Sequence, residues 1–228
     1  MLIIGNSVLN RKDSLAIFSL VEQLIHKHNF LKDDWNGYNL LQIAAARTGA
    51  LDLGLYKKGG SLRKIYDDIE GDKIKLVISL GADEIDYEKI KKSKVVYIGT
   101  HGDKGANNAD IILPSAAYTE KDSMYVNTEG RLQYAFKASF PPGNAKEDWK
   151  IINEISNLLE LNWEIVDLQQ LRSLMKSQYS NLFEFNGSGT SNYERLLANL
   201  DPKAKLCESS INYLIKDFYL ANAIARIS

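Results

Sequence analysis

Three short runs constrain this chain more than any other feature: "KLVISLG" from Lys75 to Gly81, "KVVYIG" from Lys94 to Gly99, and "ADIILP" from Ala109 to Pro114. Each is apolar at nearly every position and stops at a glycine or a proline. A strand with one wet face alternates apolar and polar residues, whereas a strand covered on both faces does not. Such double-sided strands belong chiefly to parallel sheets flanked by helices. A short helix is predicted near Tyr87 to Lys91, between the first two runs. Pro114 has no N–H to donate, which places the end of the third strand at a sheet edge. The fold class read from these runs is α/β, a mostly parallel sheet flanked by helices.

The flanking sequence adds elements of both kinds. "LIIGNS" is a strand entering a turn, and "DSLAIFSLVEQLIHKH" spaces Leu15, Phe18, Val21 and Ile25 as a helix does, with Asp13 or Ser14 as its cap. A second helix is expected over "GYNLLQIAAARTGAL", followed by a loop at "GLYKKGGS". "MYVNTEGRLQYAFKA" alternates around a glycine-containing turn and reads as a hairpin. "PPG" breaks the chain before a helix that begins near Ala145, and "LQQLRSLMKSQ" is helical again. "NGSGTSN" reads as a flexible loop. The resulting division is an α/β domain over residues 1–145 and a helical and irregular extension over 146–228.

Charge and cysteine content exclude several classes of function. The 28 basic and 29 acidic residues leave a net charge of -1, so no overall field draws nucleic acid or anionic lipid. No run reaches the roughly 18 apolar residues of a membrane span, since "LAIFSLVEQLI" is broken by Glu22 and Gln23. Direct membrane insertion is therefore not expected. "LIIG" directly after Met1 lacks the pattern of a secretory signal, which predicts a cytosolic or equivalent compartment. Cys207 is the sole cysteine, which rules out an intrachain disulfide and any multi-thiolate cluster within these residues.

Candidate site residues fall in two loops. "SLGADE" and "YIGTHGDKG" place glycine and polar residues just past strand ends, where open α/β sheets bind ligands, although neither matches a dinucleotide or P-loop pattern. His101 and Asp103 form an acid/base pair if they meet. A loop hydrogen bond is the more common fate of residues two apart. The turn Asn127, Thr128, Glu129, Gly130, Arg131 gathers charge beside a strand end, as do Glu120, Lys121 and Asp122. Arg131 either grips an anion bidentately or fixes the turn. His26 and His28 point to different faces of one helix and make poor joint metal ligands. Cys207 reads as a small buried residue, and Trp149 and Trp163 as anchors of helix packing. No residue is assigned a catalytic, cofactor-binding or metal-binding role.

The stretch "GTHGDKGANNADIILPSAAYTEKDSMYVNTEGRLQ", with "PPGNAKEDWKII" after it, closely resembles the carboxyl-terminal part of the large iron-sulfur subunit of respiratory complex I, the G chain of NADH-quinone oxidoreductase. "IIGNSVLNRKDSLAIF", "AARTGALDLG" and "IKDFYLANAIARIS" extend the resemblance over nearly the whole sequence. It implies an α/β fold of the molybdopterin oxidoreductase superfamily, to which formate dehydrogenase and nitrate reductase belong. It also implies a structural and assembly role in the peripheral arm that carries electrons from NADH to quinone, beside a membrane but not in it. No cofactor is expected in these residues, because the iron-sulfur clusters of that subunit lie in an amino-terminal region for which this chain has no counterpart. The resemblance therefore reads the chain as a piece of a larger subunit whose partners are the other subunits of the peripheral arm. Unpaired sheet edges would let such a piece form a homodimer. A retained pterin- or nucleotide-binding module, lined by Gly99 to Asn108 and Asn127 to Arg131, is the competing expectation.

Overall fold

The computed structural model describes residues 1–32, 35–42, 44–45, 47–55, 61–161, 163–183 and 205–208. The expected loops at "GLYKKGGS" and "NGSGTSN" lie largely or wholly outside them. The chain divides into two compact units, each assembled from separate stretches. The first comprises Met1–Leu55, Tyr125–Gln133 and Met175–Lys216, and the second Tyr56–Met124, Tyr134–Leu174 and Asp217–Ser228.

The first unit begins with β1 (Leu2–Ile4), a short 3-10 turn, and α1 (Ser14–His28). Helix α1 buries Ala16, Ser19, Val21 and Ile25, and ends where Asn29 turns left-handed at φ 50°, a conformation asparagine tolerates well. Strands β2 (Leu31–Lys32) and β3 (Trp35–Asn36) form an antiparallel pair, and β4 (Tyr38–Leu40) lies parallel to β1 with Ile3 opposite Asn39. The expected second helix is thus a strand over its first part. Only α2 (Arg47–Asp52) is helical, because pairing with β1 overrides the local apolar spacing of "YNLL".

The second unit holds the parallel sheet. Helix α3 (Leu62–Glu70) is capped by Ser61, whose Oγ accepts from Lys64 N at 3.1 Å. Strand β5 (Leu76–Leu80) then leads through a 3-10 turn at Tyr87–Ile90 to β6 (Lys94–Gly99). Helix α4 (Lys104–Asn108) connects β6 to β7 (Ile111–Pro114). The strand order is β5-β6-β7, all parallel, with Ser79 opposite Tyr97 and Tyr97 opposite Ile112. The core on one face joins Ile69, Tyr87, Ile90 and Val95, with Val77 packed against it.

Strands β8 (Ser123–Val126) and β9 (Leu132–Ala135) form the expected hairpin. Past β7, Ser115 bridges to Lys146 in parallel register, and α5 (Asp148–Leu158) follows, three residues later than the sequence suggested. Helices α6 (Leu168–Gln178) and α7 (Ser180–Phe183) complete the described elements. Helix α5 belongs to the same compact unit as the parallel sheet.

Candidate functional site

The strand-end crevice of the parallel sheet is built from the exits of β5 and β6. Gly81 takes φ 59° and turns the chain over the end of β5. Ser79 Oγ and Tyr87 Oη both donate to Ala82 O, at 2.8 and 2.9 Å, which fixes that turn. Asp83 Oδ1 accepts from Gly105 N at 2.7 Å. Asp103 caps α4 by accepting from Ala106 N at 3.2 Å, and its other oxygen accepts from the Tyr97 hydroxyl.

Tyr97 fills the space between these turns. It is only 2% exposed, and a Cβ placed on either Gly99 or Gly105 would fall onto its ring. The two glycines are therefore needed for close approach, and the approaching group is the protein's own side chain. Burial holds the Tyr97 phenol well above the ordinary tyrosine range, with the bond to the Asp103 carboxylate as the next cause. Burial likewise raises Tyr87.

His101 and Asp103 are not brought together as an acid/base pair. The His101 Nδ1 lies 2.7 Å from Thr100 Oγ1, while Asp103 serves Tyr97 and Ala106. The loop hydrogen bond is what the structure contains.

The hairpin turn is held by Asn127. Its Oδ1 accepts from Arg131 N at 2.9 Å, its backbone N donates to Arg131 O at 3.0 Å, and its carbonyl accepts from Gly130 N at 2.9 Å. Gly130 supplies the positive φ of 86° that the turn requires. Thr128, Glu129 and Arg131 are exposed. The charged segment before the hairpin is likewise committed to structure. Glu120 accepts from Ala117 N at 2.9 Å, Asp122 accepts from Lys137 N at 2.9 Å, and Lys121 pairs with Asp148, which also accepts from Ser115 Oγ.

Beside the hairpin, within the first unit, lies a cleft of about 260 Å³ lined by Gln42, Thr48, Asn127, Thr128 and Gln133 among others. Its side chains are neutral. Gln42 Oε1 is engaged by Asn6 Nδ2 at 3.2 Å.

The remaining candidates separate. His26 lies 4.0 Å from Glu22 and His28 stacks obliquely on Phe30, so the two do not converge. Among the described residues no three His, Cys, Asp or Glu side chains cluster as a metal site. Cys207 is exposed rather than buried, and its backbone N donates to Asp13 Oδ2 at 3.1 Å. Trp149 is partly buried and donates to Glu147 at 2.6 Å, whereas Trp163 is 48% exposed and does not anchor packing. Sequence reasoning flagged the segments that contain Asp83 and Tyr97 but singled out neither of them, nor Tyr87. The signal was present in "VVYIG", where alternation puts Tyr97 on the same face as Val95 and Gly99.

Comparison with known proteins agrees with this architecture. The family model for molybdopterin oxidoreductases matches residues 1–158. The chain is 39% identical over 226 residues to the G subunit of NADH-quinone oxidoreductase from Rickettsia bellii, covering 98% of this chain and 32% of the relative. It is 39% identical over 230 residues to the NADH-ubiquinone oxidoreductase 75 kDa subunit of Reclinomonas americana, covering 100% of this chain and 33% of the relative. The 78 kDa mitochondrial subunit of NADH-ubiquinone oxidoreductase from Candida albicans is 39% identical over 236 residues, with 100% and 32% covered. The chain thus spans about a third of the length of the curated relatives it matches. A parallel sheet wound with helices and a family match over residues 1–158 lead to one conclusion: the chain belongs to the molybdopterin oxidoreductase family.

Proposed function

We propose that the chain is a scaffold component of an NADH-quinone oxidoreductase, packing within its peripheral arm and helping to assemble it, with no bond-making chemistry of its own. The observation that carries this reading is the match to the Rickettsia bellii G subunit along 98% of the chain. Electrons moving from NADH to quinone would pass through iron-sulfur clusters held by other polypeptide stretches, since a single cysteine cannot hold one. No helix among the described residues is long and apolar enough to cross a membrane, so the reading attaches the chain to the membrane arm through partner subunits.

The family name implies a pterin-bound metal, and the strand-end crevice does not fit one. Tyr97 occupies the space beside Gly99 and Gly105, and the inward polar groups are the carboxylates of Asp83 and Asp103 with two tyrosine hydroxyls. Carboxylates repel phosphate, which binds to cations and backbone N–H groups.

A second reading, a retained pterin- or nucleotide-binding module, is favoured by the neutral hydrogen-bonding cleft near Gln42 and Asn127. Its volume of about 260 Å³ falls below the usual range of ligand pockets, roughly 300 to 1,000 Å³. Two measurements separate the readings. A tagged chain should comigrate with NADH-oxidising activity on a native gel of solubilised membranes, and its absence from that band would defeat the scaffold reading. The purified chain should release no pterin fluorescence on acid treatment and carry no stoichiometric molybdenum or tungsten.

A further inference from the structure

We infer that the exposed aromatic and cationic patch made by Tyr134, Phe136, Lys137, Phe140 and Arg172 is a docking surface for an acidic segment of a partner polypeptide, whose carboxylates pair with Lys137 and Arg172. The inference rests on the scaffold reading above and names one contact within it.

Cations that lie over aromatic rings in the second unit fall into two kinds. Lys89 sits 5.2 Å from the centre of the Tyr66 ring and also pairs with Asp86, and Lys150 sits 5.5 Å from that of Trp149 and also pairs with Glu147. Lys137 lies 4.8 Å from the Phe140 ring and Arg172 5.3 Å from the Tyr134 ring, yet among the described residues neither cation has a carboxylate partner. The rings differ in the same sense. Tyr66 and Trp149 are partly buried, whereas Tyr134 and Phe140 are 50 and 77% exposed. Phe136, between them in sequence, is 78% exposed.

The patch is presented on anchored backbone. Lys137 N donates to Asp122 Oδ1 at 2.9 Å, and Ala138 N and Ser139 N donate to Thr119 O at 2.7 and 3.1 Å. Two large apolar side chains thus stand in water on a segment that is already ordered, so a partner meets them without the entropy cost of fixing a loop. Arg172 is likewise prepared. Its Nε is buried without an acceptor, so part of the guanidinium has already lost its water, while the Tyr134 ring supports its face. A charge held in that way gains more from an incoming carboxylate than a fully hydrated one does. Aromatic side chains and arginine are also the residues in which the binding energy of an interface concentrates.

This pattern sets the chemistry of the occupant. The exposed rings call for apolar contact and the two cations for single carboxylates at separate points, which a chain of interspersed acidic and apolar residues supplies. Along the backbone Tyr134 and Phe140 are at most about 22 Å apart, so an extended partner segment of about seven residues covers the patch. A polyanion fits poorly. Nucleic acid and anionic lipid surfaces are held by many cations together, and here the Asp122 carboxylate sits on the backbone of Lys137 itself.

In the experiment, Phe136 of the tagged full chain is replaced by a benzophenone amino acid, membranes containing it are irradiated, and the crosslinked peptide is sequenced. That peptide should come from a second polypeptide of the band with NADH-oxidising activity and contain Asp or Glu beside apolar residues. Carbodiimide should join the Lys137 amine to a carboxylate of the same peptide. Lys137→Glu and Arg172→Gln, each checked for an unchanged far-ultraviolet spectrum and melting, should lower the benzophenone crosslink about tenfold, as loss of a paired interface charge does. Arg63→Glu, at an exposed cation of α3, should not. Exchanging the joined carboxylate for lysine should restore the crosslink to Lys137→Glu. No crosslink, a crosslink within this chain or to a peptide without a carboxylate, or a yield indifferent to both variants overturns the inference. So does flotation of the chain with phosphatidylglycerol vesicles that Lys137→Glu abolishes, because a lipid headgroup then holds the cation. If the chain still comigrates with NADH-oxidising activity while these tests fail, only the docking contact is lost and the scaffold reading stands.

Discussion

The Tyr97 hydroxyl donates to the Asp103 carboxylate while that same carboxylate caps α4, so a single residue ties the middle strand to the helix that follows it. Replacing Tyr97 with phenylalanine keeps the ring between Gly99 and Gly105 and removes only this bond. Urea denaturation should show a loss of about 2 kcal/mol, the range for a hydrogen bond to a charged group.

The same phenol makes stability fall in alkali. Its proton is held more tightly in the folded chain, through burial first and Asp103 second, so above about pH 10 the unfolded chain binds fewer protons than the folded one. Its contribution is fully present below the unfolded value and is lost as pH rises above it. Denaturation midpoints of the wild type and Tyr97→Phe, compared at about pH 8 and about pH 11, should converge at the higher pH.

Gly105 and Gly102 should respond oppositely to alanine. At Gly105 the new methyl group would press on the Tyr97 ring and lie 2.8 Å from the Tyr87 hydroxyl, while at Gly102 nothing lies within 4 Å. Gly105→Ala should destabilise by about 1 to 3 kcal/mol, the usual range of overpacking. Gly102→Ala should melt like the wild type in a calorimetric scan.

At the hairpin the amide matters more than the guanidinium. Asn127→Ala removes the acceptor for Arg131 N and should cost about 1 kcal/mol. Arg131→Ala leaves that backbone bond intact, so its effect should stay within about 0.5 kcal/mol. Thermal melts of the two variants side by side would reverse this assignment if Arg131→Ala proved the more damaging.

Asp13 should dominate acid sensitivity of the first unit. Arg11 Nε and a terminal guanidinium nitrogen donate to its two oxygens at 2.8 and 3.0 Å, and Cys207 N adds a third bond. These bonds, Arg11 foremost, hold its carboxyl far below the ordinary range. A depressed folded value means that the stabilisation is present above about pH 4 and fades as pH falls further. Asp13→Asn should flatten the acid limb of the stability curve. Native wild-type Cys207 should react with an aromatic disulfide reagent without denaturant, as an exposed thiol does.

The sheet was legible because its strands are apolar on both sides, and no helix among the described residues imitates that pattern. Tyr38 to Leu40 was not, since three residues of mixed polarity become a strand only through distant pairing with Leu2 to Ile4. Helix α3 does carry a local signal, because Leu62, Ile65, Tyr66 and Ile69 repeat at helical spacing behind Ser61, although the expectations from sequence did not include it. At the candidate site, glycine after a strand announced close approach but could not say what approached. Tyr97 answers that only in three dimensions. Exposure of Cys207 had no local signal, because its environment is set by Asp13, far away in sequence.

The discontinuous make-up of the two units bears on how the chain is made. Residues Tyr125–Gln133 belong to the unit that begins at Met1, yet they leave the ribosome only after all three strands of the parallel sheet. The amino-terminal stretch must wait, unfinished, while a later segment folds. No single cleavage of the chain would release either unit whole, so a protease that nicks one place should yield fragments that stay associated or unfold together.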